Sequence, residues 1–222
     1  MGSPTERLHT FLFADLAGYT ALTEAMGDEE AADLAADFCS RARQLLPAHG
    51  AEEVKAIGDA LMIRVDEAGR AIHLGLRIVN EIGGGHHFPI VRAGMHTGPA
   101  IQRNRDWYGG TVNLAARVSG VAAGGEVLLT EATRHRAEGL EDIELRERGR
   151  RTLRNIAEPA LLYAALAKGE LDDTGLPIDP VCRMAVDPEH AAGSLTYAGT
   201  EHYFCSLECA ARFAARPESY QS

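Results

Sequence analysis

The sequence predicts an α+β fold, a sandwich with a ferredoxin-like split βαβ core. Residues 8–15 alternate and then become continuously apolar, which predicts a buried strand. Apolar residues recur at helical spacing in residues 28–47 and 67–82, which predicts two amphipathic helices. The Gly58-Asp59 dipeptide between two short apolar runs predicts a hairpin turn. Buried strands, amphipathic helices and a hairpin together are typical of a sheet with helices packed on it.

The other predicted elements are shorter and are bounded by glycine, proline or polar residues. A helix is expected to begin near Gly18, and Gly50 ends the helix at 28–47. Thr130 is predicted to cap a short helix. Strands are expected at 52–57, 60–65, 89–96, 99–103, 126–129, 142–147 and 160–166, and a further helix at 110–121. The resulting order, β-α-α-β-β-α-β-β-α-β, is typical of a split βαβ core.

Composition restricts the classes of function. The net charge of −10 and the pI near 5.4 argue against a nucleic-acid partner, because binding a phosphate backbone requires clustered Lys and Arg. No stretch approaches the roughly 18 apolar residues of a membrane span, and no basic flank precedes an apolar segment at the N-terminus. We therefore expect a cytoplasmic protein with no membrane partner.

A change in composition near the C-terminus predicts two domains. Residues 1–166 are expected to form the α+β domain. Residues 167–176 are polar, acidic and glycine-containing, which is typical of a linker. Residues 177–222 are rich in Pro, Cys, His and Tyr and are expected to form a small separate module.

Two aspartates are predicted to lie at neighbouring strand ends. Asp15 closes the first strand and Asp59 lies in the hairpin turn, so their carboxylates are expected to face each other. Carboxylates held that close repel each other unless a cation lies between them, and Mg²⁺ typically binds few protein carboxylates. Each residue alone has a plainer interpretation, as a turn residue for Asp59 and a helix cap for Asp15.

Four further polar residues predict a nucleotide site. Asn113 and Arg117 are four apart on the predicted helix, so both project from one face and suit a phosphate group. Asp106 suits an exocyclic amine and Lys55 a ring nitrogen, a polarity that favours adenine over guanine. A solvated arginine, a local asparagine cap and an ordinary loop around Asp106 are the alternative interpretations.

The polar residues lie in three motifs that resemble those of the class III nucleotidyl cyclases. The motifs are FLFADLAGYT (Phe11–Thr20), VKAIGDALMI (Val54–Ile63) and DWYGGTVNLAARV (Asp106–Val118), and the resemblance extends over residues 8–166. It implies binding of two Mg²⁺ or Mn²⁺ ions, selection of adenine and stabilisation of a transition state. The residues implied for these three roles are, in turn, Asp15, Asp59 and the backbone carbonyl of Leu16; Lys55 and Asp106; and Asn113 and Arg117.

The same resemblance implies a reaction and an assembly. The ribose 3′ oxygen of ATP would attack the α-phosphorus, giving 3′,5′-cyclic AMP and pyrophosphate. The family's site lies between two domains, which implies a head-to-tail homodimer and an inactive monomer. Residues 100–105 are short where many relatives have a longer arm that grips the partner, a departure that bears on the strength of the dimer. His96 is expected to be structural, and no protein base is nominated because metal coordination acidifies the attacking hydroxyl.

Three cysteines cluster near the C-terminus and predict a soft-metal site. Cys205 and Cys209 are four apart at the start of a predicted helix, and Cys182 lies in a preceding turn. Three thiolates provide most of a tetrahedral site, with His202 the first candidate for a fourth ligand and His190 the second. The alternative is a small apolar core in which the cysteines pack beside aromatic residues, namely Tyr203, Phe204 and Phe213.

The cysteine segment resembles the YHS domain, a metal-associated module related to the TRASH type of cysteine motif. The motifs that carry the resemblance are DPVC (179–182) and YFCSLEC (203–209). Thiolate chemistry suits Cu(I) or Zn²⁺. A core this small is expected to need metal binding to fold.

The leading hypothesis is a homodimeric adenylate cyclase in signal transduction that carries a metal-responsive module. One alternative is a catalytically weak or inactive cyclase-like dimer that acts as a scaffold for a soft-metal sensor. Another is a metal chaperone or sensor whose main activity lies in the C-terminal module. Guanylate cyclase activity is disfavoured by the polarity of Lys55 and Asp106.

Overall fold

A computed structural model describes residues 7–83, 88–169 and 176–220. Its described strands are β1 (Leu8–Leu16), β2 (Ala51–Ile57), β3 (Ala60–Val65), β4 (Val91–Pro99), β5 (Ile101–Arg103), β6 (Asp106–Tyr108), β7 (Val127–Thr130), β8 (Ile143–Arg151), β9 (Ala160–Ala167), β10 (Gly193–Tyr197) and β11 (Thr200–Phe204). Seven of them form one sheet in the order β2-β3-β1-β4-β7-β9-β8. β1 runs antiparallel to both β3 and β4, and β4 is parallel to β7. The predicted α+β class is confirmed.

The described α-helices number six, of which the first five pack on the two faces of this sheet and the last packs on the β10–β11 hairpin. They are α1 (Tyr19–Met26), α2 (Asp28–Leu45), α3 (Ala68–Arg77), α4 (Gly110–Val121), α5 (Glu131–Arg136) and α6 (Leu207–Ala215). A π-helical turn, Ile78–Ile82, continues α3 to near the predicted end of that helix. None of the described helices combines the length and apolar content needed to cross a membrane.

The continuously apolar sequence of β1 is explained by burial on both of its faces. Leu12, Ala14 and Leu16 join the large core formed with α1, α2 and α3. Phe11 and Phe13 point the other way and pack with Ala115 of α4. Since successive side chains of a strand alternate between faces, a strand covered by helices on both sides must be apolar at nearly every position.

One predicted strand break is wrong. The sequence predicted an interruption at Thr97-Gly98, whereas β4 continues through both residues to Pro99. Thr97 pairs with Thr10 of β1, and their hydroxyl oxygens lie 2.8 Å apart in the interior. The side-chain hydrogen bond satisfies polar groups that would otherwise favour a turn, so the strand extends further than the glycine suggested.

The close approach of α4 to β4 depends on Gly94. A Cβ atom built on Gly94 would lie 2.0 Å from the backbone nitrogen of Ser119 in α4. We therefore expect Gly94→Ala to lower the free energy of unfolding by about 2–3 kcal/mol, measured by urea denaturation, because the helix must move away from the sheet. Gly120→Ala is the matched control, since a Cβ atom at that position would have no other atom within 4 Å. It should stabilise the same helix by about 1 kcal/mol. Equal free energies of unfolding for the two variants would show that α4 can move away from the sheet without an energetic cost.

The C-terminal residues form a compact unit that rests on the main sheet domain. β10 and β11 pair as an antiparallel hairpin, and α6 packs on it through the fully buried Phe213 and Phe204. Isolated bridge pairing links Pro89 to Met184 across the two parts of the chain. The predicted linker at 167–176 lies largely outside the described residues.

Candidate active site and thiol cluster

Asp15 and Asp59 lie side by side at one end of the central strands. Asp15 pairs with Ala60 in the β1–β3 ladder, and Asp59 is the residue before Ala60 in the hairpin turn. Burial raises the pKa of both carboxyl groups, and repulsion from Asp15 raises that of Asp59 further. The chain therefore concentrates two carboxylates where ionisation is disfavoured, which is the environment that a bound cation relieves.

The backbone of Leu16 faces the same site while its side chain belongs to the core. The side chain is 1% exposed. Its backbone N–H hydrogen bonds to the Asp59 carboxylate and opposes the rise in that group's pKa. Only main-chain atoms of Leu16 are thus available to a ligand. An oxygen donor set of two carboxylates and a backbone carbonyl fits a hard cation such as Mg²⁺ or Mn²⁺.

Arg92 is a site residue that the sequence reasoning missed. Its Nε donates to Asp15 Oδ1 at 2.5 Å, and Ser119 Oγ donates to Asp15 Oδ2 at 3.1 Å. Arg92 is directly opposite Asp15 in the β1–β4 ladder. The signal that was available is a single charged residue in the otherwise apolar start of β4. Its guanidinium group places a positive charge beside the two carboxylates.

Lys55 and Asp106 form an ion pair, although 50 residues separate them. Lys55 Nζ donates to Asp106 Oδ2 at 2.6 Å, and this hydrogen bond lowers the pKa of Asp106. A β-bulge between Glu53 and Lys55 shifts the register of β2 just before the lysine. Asp106 begins β6, a strand that the sequence did not predict. The structure therefore places a hydrogen-bond donor, the Lys55 amine, next to an acceptor, the Asp106 carboxylate.

β5 and β6 form a small hairpin at the position of the predicted short arm. Asn104 and Arg105 make the two-residue turn, and both have positive φ values, of 51° and 64°. Two adjacent left-handed residues are typical of the tightest hairpin turns. Ile101 and Tyr108, which pair across this hairpin, are 59% and 52% exposed. The arm is thus a short hairpin that exposes two large apolar side chains among polar and charged ones.

Asn113 and Arg117 project from the solvent-facing side of α4. Both residues are exposed, whereas Ala115 and Val118 on the same helix are fully buried. Within the described part of the chain, no side-chain hydrogen bond or ion pair involves either residue. They are free to engage a ligand or a second chain.

His96 is built into the interior of the fold. Its Nδ1 lies 2.7 Å from the Thr130 hydroxyl, and burial lowers its pKa to about 4. It pairs with Phe11, four positions along β1 from Asp15, or about 13 Å away at the ordinary rise of a strand. A structural role accounts for it. Thr130 is the N-cap residue of α5, as predicted, but its hydroxyl contacts His96 rather than capping the helix.

The three C-terminal cysteines meet at one point. The Sγ atoms of Cys182 and Cys205 lie 3.3 Å apart, and those of Cys205 and Cys209 lie 3.9 Å apart. Hydrogen bonding from the other two thiols lowers the pKa of Cys209, whereas bonding to its neighbours and burial raise that of Cys182. Three sulfur atoms gathered in this way, one of them favoured for ionisation, provide ligands that suit a soft cation.

One detail of the predicted cysteine site is wrong, and another residue joins its candidate ligands. Cys205 precedes α6 instead of lying within it, because Ser206 is the N-cap and its hydroxyl accepts from the Cys209 N–H. The fourth residue among the described candidates is Asp179 and not a histidine, with its carboxylate within 4.8 Å of the thiols. His202 packs against the Phe213 ring, and His190 lies beside Asp187.

Asp179 is fully buried and organises the backbone around the thiols. Its carboxylate accepts from the Val181 N–H at 2.8 Å and from the Cys205 N–H at 2.9 Å. Burial raises its pKa. It lies in the DPVC motif, three residues before Cys182. The motif was therefore visible in the sequence, but only its cysteine was interpreted as a site residue. The aromatic packing of Phe204 and Phe213 surrounds this cluster, so the apolar-core and thiol-site interpretations are compatible.

The fold and the arrangement of polar residues define the class of the main domain. The sequence profile of the adenylate and guanylate cyclase catalytic domain matches residues 4–165, and that of the YHS domain matches residues 178–222. The chain therefore belongs to the class III cyclase family and ends in a YHS domain.

Known relatives support this assignment. The chain is 38% identical over 131 residues to a pH-sensitive adenylate cyclase of Mycobacterium tuberculosis, covering 59% of this chain and 33% of the relative. It is 36% identical over 120 residues to an adenylate cyclase of Streptomyces coelicolor, covering 54% and 32%. It thus spans about a third of the length of these relatives.

Solved structures share the fold. An adenylate cyclase of Trypanosoma brucei, determined in its monomeric state, superposes with a TM-score of 0.65 at 25% identity, covering 76% of this chain and 95% of that chain. The adenylyl cyclase CyaB of P. aeruginosa gives a TM-score of 0.61 at 22% identity, covering 76% and 97%.

Proposed function

We propose that the protein is an adenylate cyclase that converts ATP to 3′,5′-cyclic AMP and pyrophosphate at sites formed between two copies of the chain. The observation that carries the proposal is that the six polar residues of the three motifs form, in one domain, a partly buried carboxylate pair, an ion pair and an exposed helix pair. A class III fold with adenylate cyclase relatives supports the choice of reaction.

Asp15, Asp59 and the Leu16 carbonyl would hold two Mg²⁺ or Mn²⁺ ions. When bound, such ions acidify the ribose 3′ hydroxyl and neutralise charge on the leaving pyrophosphate. Burial raises the pKa of both carboxyl groups, and a bound cation would offset this effect. Arg92 supplies a fixed cation at Asp15, where the triphosphate must lie if it shares the ions.

Lys55 and Asp106 would read the adenine ring. A lysine donates to a ring nitrogen and a carboxylate accepts from the exocyclic amine, and their ion pair holds both in position before substrate arrives. Asn113 would orient the ribose, and Arg117 would donate to the α-phosphate as negative charge develops on it.

The exposure of these groups supports a head-to-tail homodimer. Asn113 and Arg117 face solvent, and exposed apolar side chains lie beside the base-reading pair: Ile57 is two residues from Lys55, and Tyr108 is two residues from Asp106. Apolar residues next to polar site residues are expected where a second chain completes the site.

The experiment that tests this function is direct. The purified chain is incubated with ATP and Mn²⁺ or Mg²⁺ and cyclic AMP is quantified, with GTP in a parallel reaction and the oligomeric state measured in the same buffer. We expect cyclic AMP from the dimer and little cyclic GMP. A verified dimer that forms neither product would favour the scaffold hypothesis.

The base-reading pair yields a specificity prediction. Lys55→Glu combined with Asp106→Cys reverses the donor and acceptor pattern, so the ratio of kcat/KM for ATP to that for GTP should fall by at least about 100-fold. Lys55→Arg, which retains the charge, is the control and should preserve the preference for ATP. An unchanged ratio in the double variant would show that other residues select the base.

We further propose that the thiols of Cys182, Cys205 and Cys209 bind Cu(I) or Zn²⁺. The three sulfur atoms are already gathered in the described structure, and the matching YHS profile covers all of them. Asp179 is a candidate fourth ligand, although its oxygens also hold backbone N–H groups. A soft metal bound here would modulate the cyclase.

A further inference from the structure

The cysteine module contacts the chain segment that directly follows Asp15. Ala17 packs in a small apolar cluster with Ile90 and Ala185 of the module. The Ala17 N–H donates to the Ile90 carbonyl at 2.8 Å, and the Ala185 N–H donates to the Phe88 carbonyl at 3.3 Å. The module thus extends the packing around the turn that follows Asp15 and Leu16.

Arg183 covers the N-terminal end of α1. Gly18, the N-cap of α1, has a φ of 83°, and a Cβ atom built on it would lie 2.6 Å from Arg183 Cγ. The aliphatic part of the arginine therefore lies directly on the glycine backbone. Arg183 itself adopts a left-handed φ of 67°, in the turn closed by its N–H donating to the Asp179 carbonyl. Cys182 is the preceding residue.

Arg212 reaches the other end of the same helix. Its Nη1 donates to the Glu24 carbonyl of α1 at 3.0 Å, and its Nη2 donates to Glu208 at 2.7 Å. Arg212 lies one turn after Cys209 on α6, so the thiol and the guanidinium group belong to one rigid element. Both ends of α1 are thus held by arginines that adjoin cysteines of the cluster.

The thiols also open into a cleft between the two parts of the chain. This cleft has a volume of about 650 Å³. The three cysteines line one side, and Met26 of α1 and Leu34 of α2 are among the residues that line the other. A metal ion on the thiols would therefore lie against the helices of the cyclase domain and not on a remote surface.

We infer that the cysteine module positions α1 and the turn at Ala17-Gly18 that follows Asp15, and that metal binding at the thiols alters this position through Arg183 and Arg212. This inference rests on the proposed function and names the route of regulation. Neither arginine is placed among the catalytic residues; both act on the backbone of α1. A metal that fixes Cys182 and Cys209 relative to each other restrains the two arginines, and through them both ends of the helix.

The test measures amide hydrogen exchange in the full-length chain over residues 16–26, with one equivalent of Zn²⁺ and then with a chelator in its place. Zinc should slow exchange by at least about fivefold, which corresponds to a coupling of ordinary size. In the Arg183→Ala/Arg212→Ala variant the zinc effect should fall below about twofold, while zinc stoichiometry remains the same. Arg216→Ala removes the same charge from an exposed position of the module and should leave the effect intact.

A conservative variant separates positioning from loss of folding. Arg183→Met retains the aliphatic stem that contacts Gly18, so it should preserve most of the zinc effect. Equal exchange with and without bound zinc in the wild type would overturn the inference, as would a full effect in the double alanine variant. So would the absence of Zn²⁺ and Cu(I) binding to the cysteines. A zinc effect without any cyclic AMP formation would instead contradict the cyclase function and leave the coupling standing.

Discussion

Asp59→Ala is expected to reduce cyclic AMP formation by about 1,000-fold or more. The residue contributes one of two neighbouring carboxylates, and metal ions held by such a pair supply several kcal/mol of charge stabilisation in the transition state. The measurement is initial rate at saturating ATP and Mn²⁺, with Mn²⁺ titrated to at least ten times its wild-type half-saturation so that weakened binding is not mistaken for lost chemistry.

The isosteric variant Asp59→Asn distinguishes a catalytic from a structural effect. The folded-state pKa of Asp59 is raised above its ordinary value by burial, so its ionised form opposes folding once the pH exceeds that ordinary value. A neutral amide removes this cost, and Asp59→Asn should therefore unfold at the same or a higher temperature than the wild type near pH 7. A variant that kept more than a tenth of wild-type activity would exclude Asp59 as a metal ligand.

Arg117→Ala is expected to lower kcat by about 1,000-fold, because an arginine that meets developing phosphate charge contributes at least that much in phosphoryl transfer. KM for ATP should change much less, since the contact strengthens in the transition state. Folding should be unaffected, because the side chain is exposed and makes no hydrogen bond within the described residues.

Arg117→Lys provides a graded comparison. Lysine retains the charge but not the planar pair of donors, so most of the loss should remain. Arg136→Ala, at an exposed position on α5, is the control for removing one arginine from the surface. A fall in kcat/KM produced entirely by KM would place Arg117 in substrate binding and not in transition-state stabilisation.

The main elements were predictable because their patterns are local. The middle of β1, residues 11–14, is apolar since helices cover both of its faces, and α2 follows from apolar residues at helical spacing with three acidic residues in its first turn. The hairpin turn at Gly58-Asp59 was likewise visible from two residues. These patterns involve residues that are close in sequence, so they can be recognised from the amino-acid sequence alone.

The remaining features depend on contacts that are distant in sequence. Thr97 stays in a strand because Thr10 satisfies its hydroxyl, a partner 87 residues away. Arg92 becomes a site residue only when β4 pairs with β1. Asp179 was not predicted as part of the thiol site, because the DPVC motif was interpreted only through Cys182. The docking of Arg183 on Gly18 has no local signature, so the sequence left open whether the C-terminal module packs on the main domain, as it does in the structure.

The claim that the active site is shared between two chains is tested most directly by mixing two inactive variants. Asp59→Ala damages the metal-binding half of each site and Arg117→Ala the transition-state half. In a head-to-tail dimer of one of each, both defects fall in one site and the other site is intact. If equal amounts of the two variants exchange subunits freely, half of the dimers will be mixed, and each mixed dimer has one intact site of its two. The mixture should therefore show about a quarter of wild-type activity. Activity no higher than that of the separate variants, in a mixture shown to contain mixed dimers, would contradict the shared site.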